Sequence, residues 1–343
     1  MTKRIYISDL HLTTQRSFAQ PGAWGWTDAQ DIATLATFLR SPTVRGCDEV
    51  VLVGDIFDQW LCPIDVPPPS VAEIASAAHN RPVMEALRDL RKVVYVPGNH
   101  DMRVTSADVT AAIPGARFMP DGIHEPGLRV EHGHRNCLFN GPDPTNRPYP
   151  IGYYLTRLSA TGGNRNGKQP HTLQTIIDNP GKVIELLSGQ GRLGEVVVGA
   201  LLRTLGAEPH PVGLDEMILM PDAAPVKVGD VASMFATLYS DWNDGPGHAR
   251  DAIRNELEPW YSLPWPATEV VILGHTHSKV SDPRTRYLNV GDWCGAAWKY
   301  DADGAPTRHF ATTEQTPGQV AYALHRWTAG EPRVVWSDKL AVH

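Results

Sequence analysis

Five times in this chain a short β-branched run breaks off into a cluster of Asp, Asn, His and Gly. No other feature limits the fold as much. Arg4-Ile5-Tyr6-Ile7 leads into Ser8-Asp9-Leu10-His11, Val50 to Val53 into Gly54-Asp55-Ile56-Phe57-Asp58, and Val93 to Val96 into Pro97-Gly98-Asn99-His100-Asp101. Leu128-Arg129-Val130 precedes Glu131-His132-Gly133-His134, and Val270 to Leu273 precedes Gly274-His275-Thr276-His277. Continuous apolar runs of four read as strands covered on both faces. Helical patterns lie between them, at Asp28 to Arg40 (Ile32, Leu35, Phe38 and Leu39 on one side) and at Pro82 to Leu90. Strands alternating with helices predict a layered α/β core. In open α/β sheets ligands bind at the carboxyl ends of strands, where all five clusters fall. The tail predicts one more strand at Arg286 to Val290 and an antiparallel edge or hairpin around Ala321–Trp327 and Arg333–Trp336.

Composition narrows the function. The chain has 343 residues, enough for one large domain or a domain with an insert. Its net charge of −7 argues against a general nucleic-acid coat protein. No run approaches the ~20 apolar residues of a membrane span, and the N-terminus carries no signal-peptide pattern. Cys47, Cys62, Cys137 and Cys294 are scattered with no C-x-x-C, which disfavours a zinc ribbon or a disulfide framework. The expectation is a cytoplasmic protein, peripheral at the membrane only through its substrate.

Asp9, His11, Asp55, Asn99, His132, His275 and His277 offer oxygen and imidazole donors. Mixed N/O sets suit Mn, Fe or Zn. Seven donors exceed the need of one catalytic ion with an open position and match two ions sharing a carboxylate. A lone Asp-x-His is usually a turn or a cap, but six of the chain's 14 histidines fall in these clusters.

Asp9-x-His11, Gly54-Asp55-x-x-Asp58, Gly98-Asn99-His100-Asp101, His132-Gly133 and Gly274-His275-x-His277, in that order, resemble the calcineurin-like metallophosphoesterase superfamily. The resemblance covers residues 1 to about 140 and about 265 to 295. It implies a layered α/β/β/α sandwich. The gap from His132 to His275, far longer than any other between clusters and bounded by Pro/Gly loops, reads as a mostly helical insert or lid over 140–265, leaving core segments 1–139 and 266–343. The resemblance also implies that Asp9, His11, Asp55 and His277 hold one metal, and Asp55, Asn99, His132 and His275 the other, with Asp55 bridging. The ions would be two divalent cations, manganese first, with iron or zinc as the other candidates. His100 would act as proton donor with Asp101 as its orienting partner. Asp58 and His134 would support the ligands, and Arg103 and Arg135 would reach the phosphate. A hydroxide bridging the metals would attack phosphorus in line.

Ile7 to Leu12, Gly54 to Trp60, Glu131 to Arg135 and Leu288 to Trp293 are similar to the UDP-2,3-diacylglucosamine hydrolase branch, which cleaves a pyrophosphate. That hydrolase carries Arg where this chain has His100, and its insert is shorter, so a relative with another substrate is an equal expectation. The expected substrate is a phosphodiester or pyrophosphate of a phosphorylated small molecule or a lipid-linked nucleotide. A phosphomonoesterase or protein phosphatase is the main alternative, with a nuclease or a non-catalytic scaffold further off.

The insert is expected to carry helices near Ile151–Ser159, Thr172–Leu187, Glu195–Leu205, Val231–Tyr239 and Ala249–Leu257. Glu195 to Leu202 is apolar nearly all round, as in a packed or acyl-binding helix. Gly189-Gln190-Gly191-Arg192-Leu193-Gly194, with Asp215 beyond it, fits a dinucleotide fingerprint but follows a helical pattern where a strand is required. Trp24 and Trp26 are packing residues first, and covers of the site second.

Overall fold

The computed structural model describes residues 1–15, 24–137, 140–142, 147–166, 212–234, 268–277, 279–282, 286–294 and 308–342. Each apolar run becomes a strand: β1 (Thr2–Ile7), β2 (Glu49–Val53) and β3 (Val93–Val96) lie side by side and parallel, followed by the two-residue β4 (Arg117–Phe118). A second sheet holds β5 (Ile123–Glu125), β6 (Leu128–Val130), β9 (Val270–Leu273), β10 (Lys279–Asp282) and β11 (Tyr287–Val290) in the order β10-β11-β9-β6-β5. Its three central strands are parallel. Between them in sequence, β7 (Met217–Ile218) and β8 (Val226–Lys227) make a small hairpin inside the expected insert.

The tail departs from a simple edge hairpin. It contains three long strands, β12 (His309–Thr316), β13 (Gln319–Thr328) and β14 (Glu331–Ala341). β12 pairs directly with β1, so the larger sheet runs β14-β13-β12-β1-β2-β3-β4, and of the three tail strands only β14 is at an edge. β12 went unread because HFATTEQT alternates with polar residues, as a strand does when one face is wet.

Alternation along the strands divides the core in two. Ile5, Ile7, Val50, Leu52, Val93 and Tyr95 face helices α1 (Ala29–Arg40), α3 (Val71–Ser76), α4 (Arg81–Arg88) and α5 (Ser106–Ala112). Tyr6, Val51, Val53, Val94 and Val96 face the opposite way, onto Leu128, Val130, Val270, Ile272, Leu288 and Val290 of the smaller sheet. Two packed sheets with helices outside the larger one are the mixed α/β fold expected from the sequence. Helix α1 starts where Asp28 accepts from the Asp31 amide and Asp31 answers onto the Asp28 amide, a reciprocal cap. It ends at Ser41, which at once caps the short α2 (Pro42–Arg45).

Of the insert, helix α6 (Ile151–Asn166) and the short α7 (Val231–Met234) are described. The helical patterns at 172–187, 195–205 and 249–257, and the glycine run at 189–194, lie outside the described residues. Asp215 is an exposed residue paired with Lys227 at 2.5 Å. Arg157 of α6 is fully buried. Its guanidinium donates to the carbonyls of Cys62, Pro63, Ile64, Val66 and Leu219 at 2.6 to 3.2 Å. One side chain thereby fastens α6 and the strand approach at Leu219 to the loop after Asp58. Among the described residues no helix is long and apolar enough to cross a membrane.

Candidate metal centre

The carboxyl ends of β1, β2, β3, β6 and β9 bring the donor clusters together. Backbone conformation is the first sign of a site. Asp9, His11, Asp55, His275 and His277 all have positive φ, between 43° and 75°. Left-handed backbone is uncommon outside glycine, and Asp, Asn and His tolerate it best. The neighbouring turns hold it in place: the Asp9 amide donates to Gly54 O at 3.1 Å and the His11 amide to Asp55 O at 2.9 Å.

Side chains are then aimed by their second polar atoms. His11 Nδ1 sits 2.8 Å from Asp58 Oδ2, and His132 Nδ1 is 2.7 Å from the Val53 carbonyl. An acceptor at Nδ1 assigns the proton there in the neutral ring, so Nε2 carries the lone pair, the arrangement of a metal-ligating histidine. Asp55 Oδ1 takes the His100 amide at 2.9 Å, while Oδ2 faces His132 Nε2 at 3.2 Å and His11 Nε2 at 3.7 Å. Asp9 repeats the pattern, with Oδ2 on the His275 amide at 3.0 Å and Oδ1 facing His277 Nε2 at 3.2 Å and His11 Nε2 at 3.8 Å.

Two donor groups result. Around His11 Nε2 lie His277 Nε2 at 3.0 Å, Asp55 Oδ2 at 3.7 Å and Asp9 Oδ1 at 3.8 Å. In the second group, Asp55, His132 and His275 present ligand atoms within 4.8 Å of one another. Asp55 stands between the two. Asp9 Oδ1, Asn99 Oδ1 and His132 Nε2 are buried with no hydrogen-bond partner. Buried polar atoms left so are costly, about 1–3 kcal/mol each. Divalent cations held among these donors would give such atoms partners, and the clustered Asp and His residues fit metal binding.

Charge supports the same reading. Burial pushes the Asp9 and Asp55 carboxyls up, but the surrounding histidines outweigh it and hold both far below the usual range. Burial opposes a charged His11, yet Asp58 and Asp9 raise it to about 10; His132 rises to about 9 beside Asp55 and Asp9. Burial and the neighbouring His132 push His275 down to about 3, and burial lowers His277. The carboxylates around them thus favour the protonated forms of His11 and His132.

The remaining expected residues divide. His100 joins the centre, but its partner is Asp58, whose Oδ1 lies 2.8 Å from His100 Nδ1. Asp101 does not orient that ring. Its carboxylate receives the amides of Gly98 at 2.5 Å, Ile56 at 2.9 Å and Asp55 at 3.3 Å, together with the Tyr95 hydroxyl, and so ties the β2 and β3 turns together. The buried His134 packs near His132 and His275, their ring centroids 5.5 and 6.5 Å from its own, kept neutral by burial and by those rings. Arg103 pairs with Asp222 at 3.2 Å and lies over the Tyr149 ring. Arg135 pairs with Asp121 at 3.2 Å and the Pro120 carbonyl at 2.7 Å. Neither arginine contacts a donor residue in these pairings.

Three aromatic and thiol residues have a larger part than the sequence suggested. Trp26 stands edge-on to His11, ring centroids 4.6 Å apart, and forms a wall beside His100 and His277. Trp60 stacks on His100 at 4.7 Å. Cys294 places its sulfur within 4.8 Å of the ligand nitrogens of His11 and His277. The run Gly54 to Trp60 and the tail of Leu288 to Trp293 were the only signals near two of them.

A family model for calcineurin-like phosphoesterases matches residues 3–279. No curated protein matches the chain. Among solved structures, Vacuolar Protein Sorting 29 from Cryptosporidium parvum is similar at 12% identity and a TM-score of 0.34, over 99% of this chain and 98% of that one. The calcineurin-like phosphoesterase YfkN from Bacillus subtilis is similar at 10% identity and 0.27, over 99% and 90%. With most of its length matched by the family model and the donor clusters gathered at its strand ends, the chain belongs to the calcineurin-like phosphoesterase family and is a metal-dependent phosphoesterase.

Proposed function

We propose that the protein is a two-metal phosphohydrolase cleaving a phosphodiester or pyrophosphate, in the manner of the UDP-2,3-diacylglucosamine hydrolase branch, on a nucleotide- or lipid-linked substrate. The observation that carries this is Asp55, whose Oδ2 lies 3.2 Å from His132 Nε2 and 3.7 Å from His11 Nε2, in a centre where Asp9 Oδ1, Asn99 Oδ1 and His132 Nε2 are buried without hydrogen-bond partners. When bound, two divalent cations supply Lewis acidity toward phosphoryl oxygens and lower the pKa of a coordinated water. The chain's own part is to fix the donors and to manage a proton. Asp58 holds His100 by Nδ1, which leaves Nε2 to protonate a leaving oxygen, a contribution of about 10²–10⁴-fold. Trp60 fixes the tilt of that ring, and Trp26 excludes water on the His11 side.

Turnover of a chromogenic phosphodiester and of its monoester, each with added Mn²⁺ and with a chelated control, tests the reading. Chelator-sensitive diesterase activity with weak monoester turnover is expected, lost in both Asp55→Asn and His132→Ala. Dominant monoester turnover selects a phosphomonoesterase instead. Unchanged activity in either variant removes the site assignment.

A further inference from the structure

Sulfur is absent from the donor set that the motifs define, yet the fold delivers one. After β11 the loop 291–294 turns back under the β1 cluster. The Gly291 amide is held by Asn289 Oδ1 at 3.0 Å, and the Trp293 amide donates to the carbonyl of Asp9 at 3.2 Å. The Trp293 indole donates to His309 O at 2.9 Å, and its ring packs on Phe38 with centroids 4.3 Å apart. A loop pinned on both sides in this way presents its next residue, Cys294, to the centre. Cys294 is fully buried among Trp24, Trp26, Leu61, Cys62 and Ala160. Its sulfur lies with His11 and His277 nitrogens inside one 4.8 Å group, and the contact to Asp292 Oδ2 is long, at 4.0 Å. Asp9 Oδ1, fully buried and without a hydrogen-bond partner, faces the same two histidines, 3.2 Å from His277 Nε2 and 3.8 Å from His11 Nε2. The Asp55–His132–His275 group, by contrast, contains only oxygen and nitrogen donors.

We propose that Cys294 is a sulfur ligand of the metal position formed by Asp9, His11, Asp55 and His277, and that it makes this position thiophilic while the second remains an N/O site. The proposal rests on the two-metal reading above. On binding, the thiol loses its proton to solvent and the thiolate donates a lone pair to the cation; no bond changes otherwise and no oxidant is needed. Soft thiolates select zinc, cobalt and iron over manganese.

The test is cobalt substitution of the full-length protein, with metal content, absorption spectrum and cobalt-edge X-ray absorption measured together. The wild type is expected to show a thiolate-to-cobalt charge-transfer band in the near ultraviolet. It should also show a sulfur scatterer at about 2.3 Å, beyond the nitrogen and oxygen shell at ~2.0–2.2 Å. Cys294→Ser should bind cobalt but lose both signals, and its preference for cobalt over manganese should fall at least ~10-fold, the lower end for loss of a group that supports a metal. Cys62→Ser, from the same apolar cluster, should keep them. A wild-type cobalt protein without the band and the sulfur shell overturns the sulfur ligand and leaves the metal centre standing, and that measurement needs no variant. Signals that survive in Cys294→Ser overturn it equally. A wild type that binds no cobalt, zinc or manganese overturns the metal centre itself, and the sulfur ligand with it.

Discussion

At the scale of single residues, the centre is a set of side chains each held by one atom so that another is presented. Asp58 does this twice, with Oδ2 on His11 and Oδ1 on His100. Asp58→Asn retains an oxygen for only one ring and turns an amide donor toward the other. Turnover is expected to fall about 10²-fold or more and metal affinity about 10–100-fold, read by steady-state kinetics and metal titration. The donors themselves were legible because Asp, Asn and His directly after an apolar run have little structural reason to recur five times. The pairing of His100 with Asp58 was not legible. It depends on how the turn after Phe57 folds back, with the Trp60 and Leu61 amides on Asp58 Oδ1 at 2.9 and 2.8 Å, while the adjacent Asp101 is drawn off by backbone amides. Cys294 carried no signal either, since only the anchored Trp293 loop brings it near His277.

Elements act on the site through how closely their turns approach. A Cβ on Gly98 would overlap the Asp55 carboxylate, and one on Gly54, which also has φ +85°, would overlap the His132 ring. A Cβ on Gly98 would also meet the Asp55 amide nitrogen at 2.5 Å, so Gly98→Ala is expected to lose metal and to lower the melting temperature, checked by metal content and by circular dichroism on heating. Arg157→Met on α6 leaves the carbonyls of Cys62, Pro63, Ile64, Val66 and Leu219 without this buried donor. At about 1–3 kcal/mol per orphaned group, destabilisation of at least ~3 kcal/mol is expected in denaturant titration. The four-residue strands were readable as apolar runs buried on both faces. Two-residue β4, capped but short α3 and α5, and polar-faced β12 were not, because their formation depends on neighbours more than on pattern.

For the whole molecule, a net charge of −7 coexists with a centre that has raised histidine pKa values because the buried carboxylates of Asp9, Asp55 and Asp58 draw protons when no cation is present. Cation binding displaces those protons. His11 at about 10 and His132 at about 9 bind protons more tightly than free imidazole, so the competition weakens as pH rises. Metal affinity is thus expected to increase steadily from pH 6 to 9, measured by competition with a chromophoric chelator; a flat profile contradicts the protonated resting state.

The two sheets meet along an apolar seam, but at the β1, β2, β6 and β9 ends they meet through polar links. The His132 ring reaches Val53 O, and the His275 amide reaches Asp9 Oδ2. Cations there would act as a rivet between two halves held elsewhere by the apolar seam and the Arg4–Glu125 ion pair. Stripping the metal should let that end gape while the seam stays shut. Amide hydrogen exchange should then quicken first at Gly274 and His275, well before the interiors of β2 or β3.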